Sequence, residues 1–164
     1  MLEPLVREWT VRNSRIIYLG FVPAQEIPAY TCAADVIYYG FDPQNGMAAF
    51  SAPHKLFEAL AAGKPLITGD FGEIADVVRR ASSGIVLPVY TVDAIRQALE
   101  LLSDNAVRQR YAHNALEAGR REMNWGKAQE ILYREYSELV AGPLNPVAES
   151  ESEAVDALPT LAAK

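Results

Sequence analysis

A chain of 164 residues, half of them hydrophobic and 22% charged, is long enough for one domain with a real core and has an ordinary globular composition. Its net charge of -6 excludes the basic footprint of non-specific nucleic-acid binding, and four of the acids (Glu149, Glu151, Glu153, Asp156) fall after residue 148, against Lys164 alone. The single Cys32 excludes an internal disulfide, no signal peptide is legible, and no apolar run reaches the roughly 18 residues of a membrane span, so a cytoplasmic domain is expected.

Residues 4–11 have helical spacing, with Leu5, Val6 and Trp9 on one face. Ile16-Ile17-Tyr18-Leu19, set between Asn13-Ser14 and Gly20, reads as a buried strand. A helix is expected over 23–33 with Pro28 in its first turn, and Cys32, lacking a His or Cys partner at metal spacing, reads as a small buried hydrophobe. A second strand follows over 35–39, with Tyr38 and Tyr39 in the core. Residues 40–52 form a long loop holding Asp42 and Asn45, and loops of that length inside a compact domain are usually functional or mobile.

The stretch from Ser51 to Pro65 reads as one short helix with both ends marked. Ser51 is a good N-cap and Pro53 suits the first turn, where N–H groups have no intrahelical partner. Gly63 stands where a left-handed residue ends a helix, and Pro65 stops continuation. Leu56, Phe57, Leu60 and Ala61 form the inward face. The first turn carries His54 and Lys55 and no acid, although the positive end of the helix dipole favours Asp or Glu there. An anionic ligand would supply the missing charge, because helix-start N–H groups beside a Lys suit a phosphate. The dull reading is that Lys55 pairs with Glu58 along the helix, in the weaker order.

A third strand is expected over 65–68, a helix over 73–80 with Ile74, Val77 and Val78 inward, and a fourth strand over 85–87. Thr91 caps a helix to residue 102 with a stripe of Ile95, Ala98, Leu99 and Leu102, and Asp104 or Asn105 caps another to about residue 121. His113 falls mid-helix on the surface. A last helix over 126–140 turns Ile131, Leu132, Tyr136 and Leu139 inward. Beyond residue 140 the chain is rich in Pro, Ala, Glu and Ser without periodicity and reads as a disordered tail, leaving residues 1–140 as the domain. Strands alternating with helices predict an α/β fold, a Rossmann-like parallel sheet flanked by helices, with ligands expected outside the carboxyl ends of the strands.

Six segments in register give residues 15–139 a family resemblance. They are Leu19-Gly20-Phe21-Val22-Pro23, the step from Tyr30 to Val36, the run from Ser51 to Pro65, the turn from Asp70 to Val78, Gly84-Ile85-Val86-Leu87-Pro88, and Trp125. Together they resemble the C-terminal, donor-binding half of the GT-B fold glycosyltransferases of family 4 (group 1). The resemblance implies binding of a nucleoside-diphosphate sugar with no metal cofactor. It sets the diphosphate at the helix start (Ser51, Pro53, His54, Lys55), the ribose hydroxyls on Glu58, and the donor sugar near Asn45. Where many members carry a further Glu, this chain has Phe50. Members also have an N-terminal acceptor-binding domain and a first strand of this half that do not precede Leu2 here. The expectation is therefore a fragment, a truncated gene product or one piece of a split enzyme. Such a piece is inactive alone and is completed by an N-terminal domain or a second polypeptide. The alternative is a non-catalytic interaction or assembly module that keeps the half-fold. An epimerase of the same fold stays open, and a receiver-like domain is disfavoured because the first expected strand ends in Leu19-Gly20-Phe21 without acids.

Overall fold

The computed structural model describes residues 3–40 and 53–141, in two compact units that divide after Asn124. In the first, α1 (Glu3–Arg12) and α2 (Ile27–Ala33) precede β1 (Ile37–Tyr39). There follow α3 (His54–Ala61), β2 (Leu66–Gly69), α4 (Gly72–Ala81), β3 (Gly84–Leu87), α5 (Val92–Ser103) and α6 (Asn105–Arg121). The second unit holds α7 (Trp125–Ala141). The α/β architecture expected from the alternating pattern is what forms.

Among the described residues the sheet has three parallel strands in the order β1-β2-β3, with Ile37 opposite Leu66 and Leu66 opposite Gly84. Strand β2 is buried along its whole length, and successive side chains leave opposite faces. Leu66 joins Leu56, Ala59 and Leu60 of α3, Ile74, Val77 and Val78 of α4, and Ala115 of α6. Ile67 joins Leu87, Ala98 and Leu102 on the other face, under α5. Each fully buried aliphatic side chain contributes about 2 kcal/mol of transfer free energy.

Local chemistry sets the element ends. The Thr91 hydroxyl accepts a hydrogen bond from the Ala94 N–H at 3.1 Å, and the Asp104 carboxylate accepts one from the Val107 N–H at 3.0 Å. Gly63 takes φ +62, its N–H donating to Leu60 O at 3.0 Å while the Lys64 N–H donates to Ala59 O at 2.8 Å. That is the paired bonding of a Schellman helix end, as the sequence predicts. The N-terminus of α3 differs from expectation. Its N-cap is Pro53, not Ser51, and it has no side-chain capping bond.

Other expectations are corrected. Residues 16–19 form no strand and pair with none of the three, and Ile17 is 77% exposed and Leu19 52%. A β-rich run becomes a strand only where a neighbouring strand takes its N–H and C=O groups; among the described residues no strand does, and the Ile16 N–H turns back to Asn13 O at 2.9 Å. Helix α2 begins at Ile27, after a turn closed by the Glu26 N–H on Pro23 O at 2.9 Å. Cys32 is exposed, as are Tyr38, Phe57 and Leu99. In the second unit no residue of α7 is buried, so Ile131, Leu132, Tyr136 and Leu139 are exposed where an inward stripe was expected. His113 is exposed as expected. No helix among the described residues is long and apolar enough to cross a membrane. Most of the 40–52 loop, with Asn45 and Ser51, and the tail from residue 142 lie outside the described residues.

At Gly84, paired with Leu66, β3 leaves no room for a side chain. A Cβ there would lie 1.9 Å from the carbonyl oxygen of Leu66, a backbone atom that no rotamer change can move. Gly84→Ala is expected to destabilise the domain by about 3 kcal/mol or more, read as a lower urea midpoint.

Candidate functional site

Among the described residues β1 is an edge strand, and it meets the start of α3 at a cleft. The Ile37 N–H donates to Pro65 O at 2.9 Å, which turns that residue's peptide groups toward β2. Alternation then turns those of Val36 and Tyr38 to the open side. A cleft of about 490 Å³ lies there, with Val36, Ile37 and Tyr38 as one wall. The chain from Leu19 to Val22 and Ile27, Tyr30 and Thr31 of α2 line it as well. The Thr31 hydroxyl donates to Ile27 O at 3.0 Å and is committed to its own helix. Gly20 turns the far wall at φ +69, where a side chain would be strained although a Cβ would meet no atom within 4 Å.

Lys55 and Glu58 of α3 bring charge to this largely apolar space. Lys55 Nζ stands 2.8 Å from Glu58 Oε2, and their side chains are 44% and 31% exposed. The first turn of α3 holds no acid, and the Leu56 N–H donates to Pro53 O at 3.0 Å. The amides just before Leu56 have no partner within the helix, so the α3 start presents donors and the positive end of a dipole. Of the six residues singled out in the sequence, the structure brings Lys55 and Glu58 together in the cleft. Pro53 is the cap of the same helix start, and His54 is exposed at its first position. Asn45 and Ser51 are outside the described residues.

Sequence reasoning missed Tyr38 and the Leu19–Val22 wall as site residues. Tyr38 lines the cleft and is half exposed, and its phenol pKa is held above the ordinary value by burial and then by Tyr90. The signal was Gly40 two residues later, which leaves room for the Tyr38 ring to lie along the strand end. At the same carboxyl edge Asp70 pairs with Arg79 at 2.5 Å. Among the described residues no three His, Cys, Asp or Glu side chains cluster as metal ligands.

A family model described as "Glycosyl transferases group 1" matches residues 12–120 of this chain. The chain belongs to that family. The glycosyltransferase match covers both walls of the cleft, the α3 start and all three strands. A curated relative, the putative glycosyltransferase YtcC of Bacillus subtilis (strain 168), is 35% identical over 78 residues, which are 48% of this chain and 18% of that protein. Among solved structures, the sucrose-phosphate synthase of Thermosynechococcus elongatus superposes with a TM-score of 0.66 at 24% identity, over 85% of this chain and 34% of that one. WaaG, a glycosyltransferase involved in lipopolysaccharide biosynthesis, superposes with a TM-score of 0.62 at 19% identity, over 87% and 35%. At these identities the superpositions speak for fold, and they bear out the GT-B architecture expected from the sequence. The glycosyltransferase domain thus spans about a third of the solved structures and about a fifth of the curated relative.

The half-exposed Lys55–Glu58 pair holds α3 together only weakly. Lys55→Ala is expected to lower stability by no more than about 0.5 kcal/mol, measured as a small shift in the denaturant midpoint.

Proposed function

We propose that this glycosyltransferase domain binds a nucleoside-diphosphate sugar in the cleft between β1 and α3, for transfer of the sugar to an acceptor. The observation that carries the reading is the Lys55–Glu58 pair placed in that cleft beside a helix start without acids. The diphosphate takes the first-turn amides of α3, around Pro53 and His54, and the Lys55 ammonium. Glu58, released from Lys55, accepts two hydrogen bonds from a vicinal ribose diol. Opening a surface ion pair costs a few tenths of a kcal/mol, so the exchange is favourable once a phosphate replaces the carboxylate. Lys55 and the helix dipole offset the diphosphate charge, and the reading assigns no metal ion. Ser51 and Asn45 complete the proposed contacts with phosphate and sugar.

The acceptor is held by polypeptide beyond these 164 residues, an N-terminal domain or a second chain, and this stretch alone is inactive. The exposed Ile17, Leu19 and Phe21 support such a partner. The same exposure favours the second reading, an assembly module that retains the half-fold without catalysis. In either case the reading sets the protein in the cytoplasm, away from nucleic acid.

Calorimetric titration with UDP, GDP, ADP and their sugars tests the proposal. One nucleotide is expected to bind saturably, and Glu58→Gln is expected to weaken it by about tenfold to a hundredfold, the range for a hydrogen bond to a charged group. Absence of saturable binding to every nucleotide would sink the donor reading and leave the assembly module.

A further inference from the structure

Strand β3 is the other edge of the sheet among the described residues, with β2 on one side only. The Leu66 N–H donates to Ser83 O at 3.1 Å and the Asp70 N–H donates to Leu87 O at 3.0 Å. The N–H and C=O of a trans peptide point in opposite directions, so the Gly84 N–H faces away from β2, and alternation turns the Gly84 and Val86 C=O and the Val86 N–H the same way. Pro88, the next residue on that side, has no N–H to offer. A cavity of about 420 Å³ is lined by β3 together with Ala94, Gln97 and Leu101 of α5. Natural sheet edges are ordinarily guarded by charged side chains. From Ala81 to Val92 this chain has none, although its net charge is -6. Asp93 also lines the cavity, and its carboxylate is held by Arg96 at 2.6 Å.

We propose that β3 pairs with β3 of a second copy of this chain, antiparallel about a two-fold axis at Ile85, so that two three-stranded sheets become one. With the axis there, Gly84 and Val86 of one copy stand opposite Val86 and Gly84 of the other, and each opposed pair exchanges both of its N–H and C=O groups. Every outward group from Gly84 to Val86 then has a partner. Pro88 stops the ladder from running on, and the two-fold axis closes the assembly at a dimer. Charge selects a second copy over another partner. A two-fold axis sets like against like, so an acidic chain pairs with itself only through a face whose charge is absent or already neutralised. The β3 edge, with the uncharged Ala94, Gln97 and Leu101 of α5 beside it, is such a face. Strand β1 lies on the far side of β2, so the pairing leaves the cleft at α3 free and holds whether or not that cleft takes a nucleotide.

Sedimentation of the full chain over a range of concentrations tests the pairing. The mass is expected to rise from 18.0 kDa toward twice that value through tens of micromolar, since so short an interface belongs to the weak class. In concentrated protein the Val86 amide is expected to exchange with deuterium about tenfold more slowly than in dilute protein. The Leu87 amide, which faces β2, should not change. Val86→Pro removes the outward donor without removing a bond to β2, and is expected to weaken association by about tenfold or more. Leu101→Glu sets like charges on the shared flank and is expected to weaken it by a similar factor. A monomer at every concentration overturns the proposal, and so does a dimer that Val86→Pro leaves intact. Slow Val86 exchange that ignores concentration also overturns it, because the edge is then covered within one chain. If Val86→Pro does not fold, a dimer that survives Leu101→Glu with a fast Val86 amide overturns the proposal instead.

Discussion

A parallel strand with no solvent face has to be covered twice, and β2 is such a strand. Its first two residues divide the domain: Leu66 faces α3, α4 and α6, and Ile67 faces α5. The close approach of β3 at Gly84 holds the middle of this arrangement, and Gly119 does the same work between α6 and α3. A Cβ on Gly119 would stand 3.1 Å from the backbone of Leu60. Helix α3 is thus clamped from below by β2 and from the side by α6. Its polar edge, with Lys55 and Glu58, is presented to the cleft by a rigid support rather than by a loop.

The legible parts of the chain are those whose physics is local. Thr91 and Asp104 announce their helices because a side-chain oxygen three residues before an orphan N–H needs nothing else. Gly63 announces the end of α3 because only glycine takes a positive φ without strain. Strands β2 and β3 are legible to within a residue, as 65–68 and 85–87, because runs bounded by turns and helices have little alternative. The illegible parts depend on partners. Residues 16–19 carry as much β propensity as β1, yet propensity does not supply the neighbouring N–H and C=O groups that a ladder requires. The apolar stripe of α7 specifies a helix and says nothing of what covers it, and α7 carries that stripe exposed.

The same division runs through the site. That Lys55 and Glu58 share one side of a helix follows from their spacing. That this side opens on a cleft follows from where the chain from Leu19 to Val22 passes, and no pattern in the sequence states that. Tyr38 reads as core in a strand taken by itself, because alternation cannot tell an edge strand from a central one. The missing fact is the place of β1 in the sheet, with β2 on one side only.

On the proposed nucleotide reading, the pairing of Lys55 with Glu58 bears on which molecules the cleft would admit. With its cation and carboxylate satisfied by each other, the unliganded helix start shows little net charge. An inorganic anion that draws Lys55 away leaves Glu58 facing the cleft without a donor. A nucleoside without phosphates would offer hydroxyls to Glu58 but nothing to Lys55. A ligand carrying phosphate and diol together would engage both halves in one exchange, and because the pair is worth only a few tenths of a kcal/mol, opening it weighs against a lone anion or nucleoside by no more than about twofold.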